Sequence, residues 1–131
     1  MKTLTRVTFV LILTVLSACK KESSGSGIIG KWRLTAAFAD PGNGRGVWVA
    51  IEKKGFYFDY VKFHSNGSLE STIFTDYVTY KLKGSDTITF SIKDNTIQHY
   101  EYTIKSDTMV MSPAGPIMCI EGCGMKFARV R

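Results

Sequence analysis

Two cysteines near the C-terminus, Cys119 and Cys123, are the residues best placed to do chemistry in this 131-residue chain. Three residues separate them, Gly122 among them, in a stretch bounded by Pro113, Pro116 and Gly124. Such a pair can close a disulfide, stay as free thiols or help hold a metal. A structural zinc site needs four ligands, and the only histidines are His64 and His99, both far along the chain. Thiol–disulfide exchange favours Cys-x-x-Cys in a βαβ context, and neither is present. A disulfide is the leading expectation, with no metal and no cofactor. A loop this short gains little entropically, so its value is local rigidity.

The other polar groups suggest no reaction. His64 stands beside the turn Ser65-Asn66-Gly67, and His99 falls on the polar side of an alternating segment. Neither belongs to a recognisable nucleophile–His–carboxylate arrangement, so no catalytic residue and no enzymatic activity are expected. Asp40 and Asn43 lie among glycines, but that spacing lacks the alternating carboxylates and closing Glu of a calcium loop. It reads as a flexible connection.

The third cysteine is defined by what precedes it. Lys2 and Arg6 are followed by an apolar run from Val7 to Leu16 and then by Leu16-Ser17-Ala18-Cys19. These are the n-region, h-region and small-residue exit of a secretory signal, and with Cys19 directly after them the stretch resembles a bacterial lipobox. About ten apolar residues are half of what a membrane-spanning helix needs. The resemblance implies that residues 1–18 are removed and that Cys19 carries the acyl anchor. Residues 19–27 then form a lipidated tether, and residues 28–131 the folded domain. The eight residues after Cys19, KKESSGSG, reach at most ~28 Å when extended. Export places Cys119 and Cys123 in an oxidising compartment, where a disulfide is the default.

Charge excludes one class of partner. Without Lys2 and Arg6, 15 basic residues face 11 acidic ones. Lys20 and Lys21 sit beside the anchor, where anionic headgroups attract them. The remainder are scattered, without the basic cluster of a nucleic-acid face.

The elements that must position these groups are strands. Apolar residues alternate with period two across the domain, and no amphipathic helix stands out. Strands are predicted over 31–38, 56–63, 68–74, 77–83, 87–92, 97–105, 108–111 and 125–130. Turn signals separate them, Asn66-Gly67 being the strongest. The pattern is an all-β, antiparallel up-and-down meander of about eight strands. Pairing the last strand with the first removes both open edges, so closure into a small barrel is favoured. An interior of that size is filled by side chains or holds one small ligand. Aromatic strand residues are read as core rather than as pocket lining.

Gly30-Lys31-Trp32 and Phe127-Ala128-Arg129 resemble the Gly-x-Trp motif and the last-strand signature of lipocalins. The resemblance implies that Trp32 plugs the closed end of the barrel and that Arg129 stacks on its indole, a cation–π contact worth ~0.5–2 kcal/mol. More narrowly, the chain is similar to small lipocalin-like lipoproteins of the Bacteroidetes. That likeness rests on these motifs together with Asp40-Pro41-Gly42-Asn43-Gly44, Trp48, Asn66-Gly67 and the Cys119–Gly124 stretch. It implies a non-catalytic binding protein anchored in the cell envelope, at the outer membrane and facing the periplasm. Its partner would be a small apolar ligand or another envelope protein. Trp48, just beyond the glycine-rich connection, is placed either to touch such a ligand at the barrel mouth or to cover the core. An accessory or inhibitory lipoprotein with a filled barrel is the alternative.

Overall fold

The computed structural model describes residues 27–52, 57–92, 94–120 and 122–131. The predicted signal, Cys19 and the tether up to residue 26 lie outside the described residues. Within them the chain forms nine strands: β1 (Gly30–Ala39), β2 (Val47–Ala50), β3 (Tyr60–Phe63), β4 (Leu69–Ser71), β5 (Thr79–Lys83), β6 (Thr87–Ser91), β7 (Ile97–Lys105), β8 (Thr108–Gly115) and β9 (Met125–Arg129). All pairs are antiparallel, in the order β4-β3-β1-β9-β8-β7-β6-β5, with β2 also on β1. β2 and β3 share one edge of β1, so nine strands make eight staves.

Closure has two seams. The first joins chain ends: Trp32 is opposite Arg129 and Leu34 opposite Phe127 in the β1–β9 ladder. The second is narrow, a single bridge between Ser68 and Thr79 with Leu69 N–H donating to Val78 O and Tyr80 N–H to Gly67 O. The turn Asn66-Gly67 feeds it; Gly67 has φ +84°, a conformation that glycine adopts without strain.

The barrel axis is filled. Trp32, Val61, Phe63, Ile88, Phe90, Met109, Met111 and Phe127 are fully buried and belong to one core cluster. Phe90 is its centre, in ring contact with Phe74 (5.0 Å between centroids), Tyr100 (5.1 Å), Tyr77 (5.6 Å) and Phe63 (6.1 Å). The expectation that aromatic strand residues form core describes this interior. Burial pushes the Tyr100 hydroxyl up to about 12, with Tyr77 adding to the shift, and burial raises Tyr80 and Tyr102 as well.

Raised phenols give a pH prediction. The folded protein keeps the Tyr100 proton after the unfolded chain, titrating near 10, has lost it. The stabilisation is therefore complete below pH 10 and disappears as pH climbs toward 12. Urea unfolding midpoints should fall across that window, and Tyr100→Phe should make the fall shallower.

The observed strands differ from the predicted ones in several places. The return strand predicted over 68–74 ends at Ser71, whose hydroxyl oxygen accepts from the Ile73 and Phe74 N–H groups (3.0 Å each) and turns the chain out of the ladder. The strand predicted over 56–63 begins only at Tyr60, and residue 56 lies outside the described residues. The ladder stops there because side chains take over its bonds: Tyr60 N–H donates to Thr72 Oγ1 (3.0 Å), whose hydroxyl donates to Asp59 Oδ1 (3.0 Å). β8 runs four residues beyond Met111, through Pro113. The proline is tolerated because β9 pairs with β8 only as far as Met111, and the β7–β8 register shifts at His99/Tyr100. β2 lies where only a flexible connection was expected.

Candidate functional site

β1 carries an irregularity between Leu34 and Ala36. There Leu34 N–H donates to Asp59 O (2.8 Å) while Thr35 O accepts from Ile51 N–H (2.8 Å). Just above, β2 occupies this edge of β1; just below, β3 does. Between them the chain leaves the ladder after Ile51 and rejoins it at Tyr60. The break opens a cleft of about 470 Å³ in the barrel wall, lined by Arg33, Leu34, Ile51, Glu52, Tyr57, Phe58, Asp59 and Thr72.

The lining divides by chemistry. Leu34 is buried in the core cluster, and Ile51 packs against it. Phe58 is half-buried, and Tyr57 and Asp59 stand exposed at the rim. Arg33, Glu52, Asp59 and Thr72 give both signs of charge and one hydroxyl. Lys31 places its Nζ over the Tyr60 ring (3.7 Å) and the Phe58 ring (5.2 Å), fixing the lower wall. Outside that wall the Tyr60 hydroxyl donates to Glu70 Oε1 (2.6 Å), which holds the Glu70 carboxyl below its usual range and raises Tyr60. His64 Nε2 stands 3.5 Å from Glu70 Oε2. An apolar floor with a few polar groups at the rim is what small-molecule sites provide, and the volume lies within their ~300–1,000 Å³ range.

A family model described as a lipocalin-like domain matches residues 28–111. The chain belongs to the lipocalin-like family. No curated protein and no solved structure matches it significantly. The matched span covers β1 to β7 and the start of β8, and stops before β9.

At the closed end of this lipocalin-like barrel, Trp32 is fully buried and its Nε1–H donates to Ile28 O (2.7 Å). The Arg129 guanidinium carbon lies 4.1 Å from the indole ring centre. Its Nη1 donates to Ile29 O (3.0 Å), its Nη2 to Gly27 O (2.8 Å), and its Nε is 3.7 Å from Asp107 Oδ1. One guanidinium therefore ties the entering chain to the barrel base. Gly30 has φ +120°, a region that disfavours any side chain, and a Cβ there would lie 3.5 Å from Arg129 Nη1.

At the open end, Cys119 and Cys123 are joined in a disulfide with 5.7 Å between their Cα atoms. Gln98 controls this end and was not singled out from sequence. It is buried, accepts from Ile117 N–H (3.0 Å) and donates to Ile117 O (2.9 Å), clamping the start of the cysteine loop from β7. The available signal was a polar residue on the inward phase of a strand. Gln98→Ala leaves two backbone groups without partners, each costing ~1–3 kcal/mol if they stay buried. Limited proteolysis within 116–122 should accelerate while the rest of the barrel resists.

Trp48 lies elsewhere. The irregularity in β1 changes which residues face outward, and Trp48 packs edge-on to Phe38 (5.4 Å) beneath Lys126 Nζ (4.4 Å). Lys126 alternates with the buried Phe127, so this is the outer face of the wall. Trp48 does not line the cleft. His99 is half-buried on the outer face, its Nδ1 2.9 Å from Thr89 Oγ1. Among the described residues no group of three or more His, Cys, Asp or Glu side chains could hold a metal.

Proposed function

We propose that this is a small lipocalin-like lipoprotein of the Bacteroidetes type, anchored through Cys19 in the bacterial envelope, at the outer membrane and facing the periplasm. It binds a small apolar ligand without transforming it. Lipocalins are generally non-catalytic binding proteins, and membership of the lipocalin-like family supports that reading. The observation that carries it is the cleft at the β2/β3 break, which offers Leu34, Ile51 and Phe58 beside an ionic rim. With the axis filled by Phe63, Phe74, Phe90 and Tyr100, the ligand enters the wall rather than the centre. Gly27, held by Arg129, lies at the closed end, so a short tether from Cys19 leads to that end and the mouth faces away from the membrane.

The alternative, an accessory or inhibitory lipoprotein with no ligand, is favoured by the same filled interior. Binding of an environment-sensitive apolar dye such as anilinonaphthalene sulfonate separates the two. Full burial of a phenyl side chain is worth ~1.5–3 kcal/mol, so Phe58→Asp should weaken dye binding roughly tenfold or more. Dye affinity unchanged in Phe58→Asp would remove the cleft from consideration. Intact mass and detergent-phase partitioning of the native protein test the anchor, which should disappear together with the added mass in Cys19→Ser.

A further inference from the structure

We propose that the free edge of β2 accepts an extended segment of another protein as an added strand. The bond between Ile51 N–H and Thr35 O sets the phase of the β1–β2 ladder. Thr35–Ile51, Ala37–Val49 and Ala39–Val47 are then its hydrogen-bonded pairs. Trp48 and Ala50, the residues between, direct their N–H and C=O groups away from β1. Among the described residues β2 pairs with β1 alone. All four β2 residues are exposed, Val47 and Val49 on one face and Trp48 on the other. The strand has no proline and no charge, the usual devices that blunt an edge.

The surroundings select the occupant. Lipid tails cannot pair with outward N–H and C=O groups, and Gly27, held by Arg129, lies at the opposite end of the barrel. A second copy pairing β2 to β2 in one continuous sheet would reverse the two barrels and send their tethers in opposite directions. That step alone rests on the anchor reading above. A foreign extended segment meets neither obstacle. Its alternating side chains would lie over Val47 and Val49 on one face and beside Trp48 on the other. Positive charge from Arg45, exposed just before β2, favours a carboxylate on the segment. Main-chain bonds would supply affinity, and these side-chain positions selectivity.

Residue-resolved amide exchange on the detergent-solubilised full protein, with an acetylated Thr-Val-Asp-Val-Thr-Val peptide as probe, tests this. Exchange at Trp48 and Ala50 should slow about tenfold or more at saturating peptide. Val47 and Val49, already paired to β1, should not change. Ala50→Pro deletes an outward donor and spares the β1 ladder, so it should abolish the protection at Trp48. Three results would overturn the proposal: no protection of the wild-type amides, protection that grows with protein concentration without peptide, or protection by phosphatidylethanolamine–phosphatidylglycerol vesicles alone. Intact mass reports the state of Cys19 separately, so an unacylated protein would leave the exchange result standing.

Discussion

Trp32→Ala should lower the melting temperature by roughly 15 °C or more and leave a large unfolded fraction at 37 °C. Truncating a fully buried tryptophan typically costs ~3–5 kcal/mol, against a total stability of about 5–15 kcal/mol for a domain. In a domain near 100 residues each kcal/mol moves the midpoint by several degrees. The site concentrates other losses. Ile28 O loses its indole donor, and Arg129 loses the ring it covers while still bonded to Ile29 O and Gly27 O. The first and last strands meet here, so a void loosens the seam that makes the sheet a barrel. Trp32→Phe keeps most of the volume and should recover most of the loss. Thermal unfolding followed by circular dichroism measures both. A drop of only a few degrees for Trp32→Ala would show that the seam is held by the β1–β9 backbone ladder alone.

How much of this could be read beforehand depends on how each element announces itself. β7 was legible to the residue, 97–105, because nine residues alternate between two turn signals. The Asn66-Gly67 hairpin was legible because its chemistry is local. β2 was not: Val47-Trp48-Val49-Ala50 is apolar on both faces, and period-two alternation has nothing to report there. The chain between Ile51 and Tyr60 failed for a related reason. Its aromatic residues suit a strand, but the partner edge of β1 changes phase between Leu34 and Ala36 and directs the chain out of the ladder. That irregularity joins residues far apart in sequence, and with it come the cleft and the outward placement of Trp48. Local pattern specified the staves; long-range register specified the candidate site. Gln98 lies between the two cases, since its inward phase was visible but the Ile117 backbone it holds was not.

Phe90→Ala should destabilise the barrel by ~3–5 kcal/mol and, in the fraction that folds, open a dry chamber on the axis. Phe90 touches four other aromatic rings, and each such pair adds ~0.5–1.5 kcal/mol beyond buried area. The surrounding rings come from β3, β7 and the 74–77 turn and cannot all relax into one void. Phe90→Leu, which keeps much of the volume, should cost less than half as much. The chamber also bears on function. A void lined by Phe63, Phe74 and Tyr100 should take up benzene or xenon, as apolar cavities do, and the wild-type protein should show no such uptake. If Phe90→Ala gains benzene-dependent thermal stabilisation while its dye affinity at the wall cleft stays at the wild-type value, the two spaces are independent. Ligand binding then belongs to the break in the wall, and the aromatic axis serves to hold that break in shape.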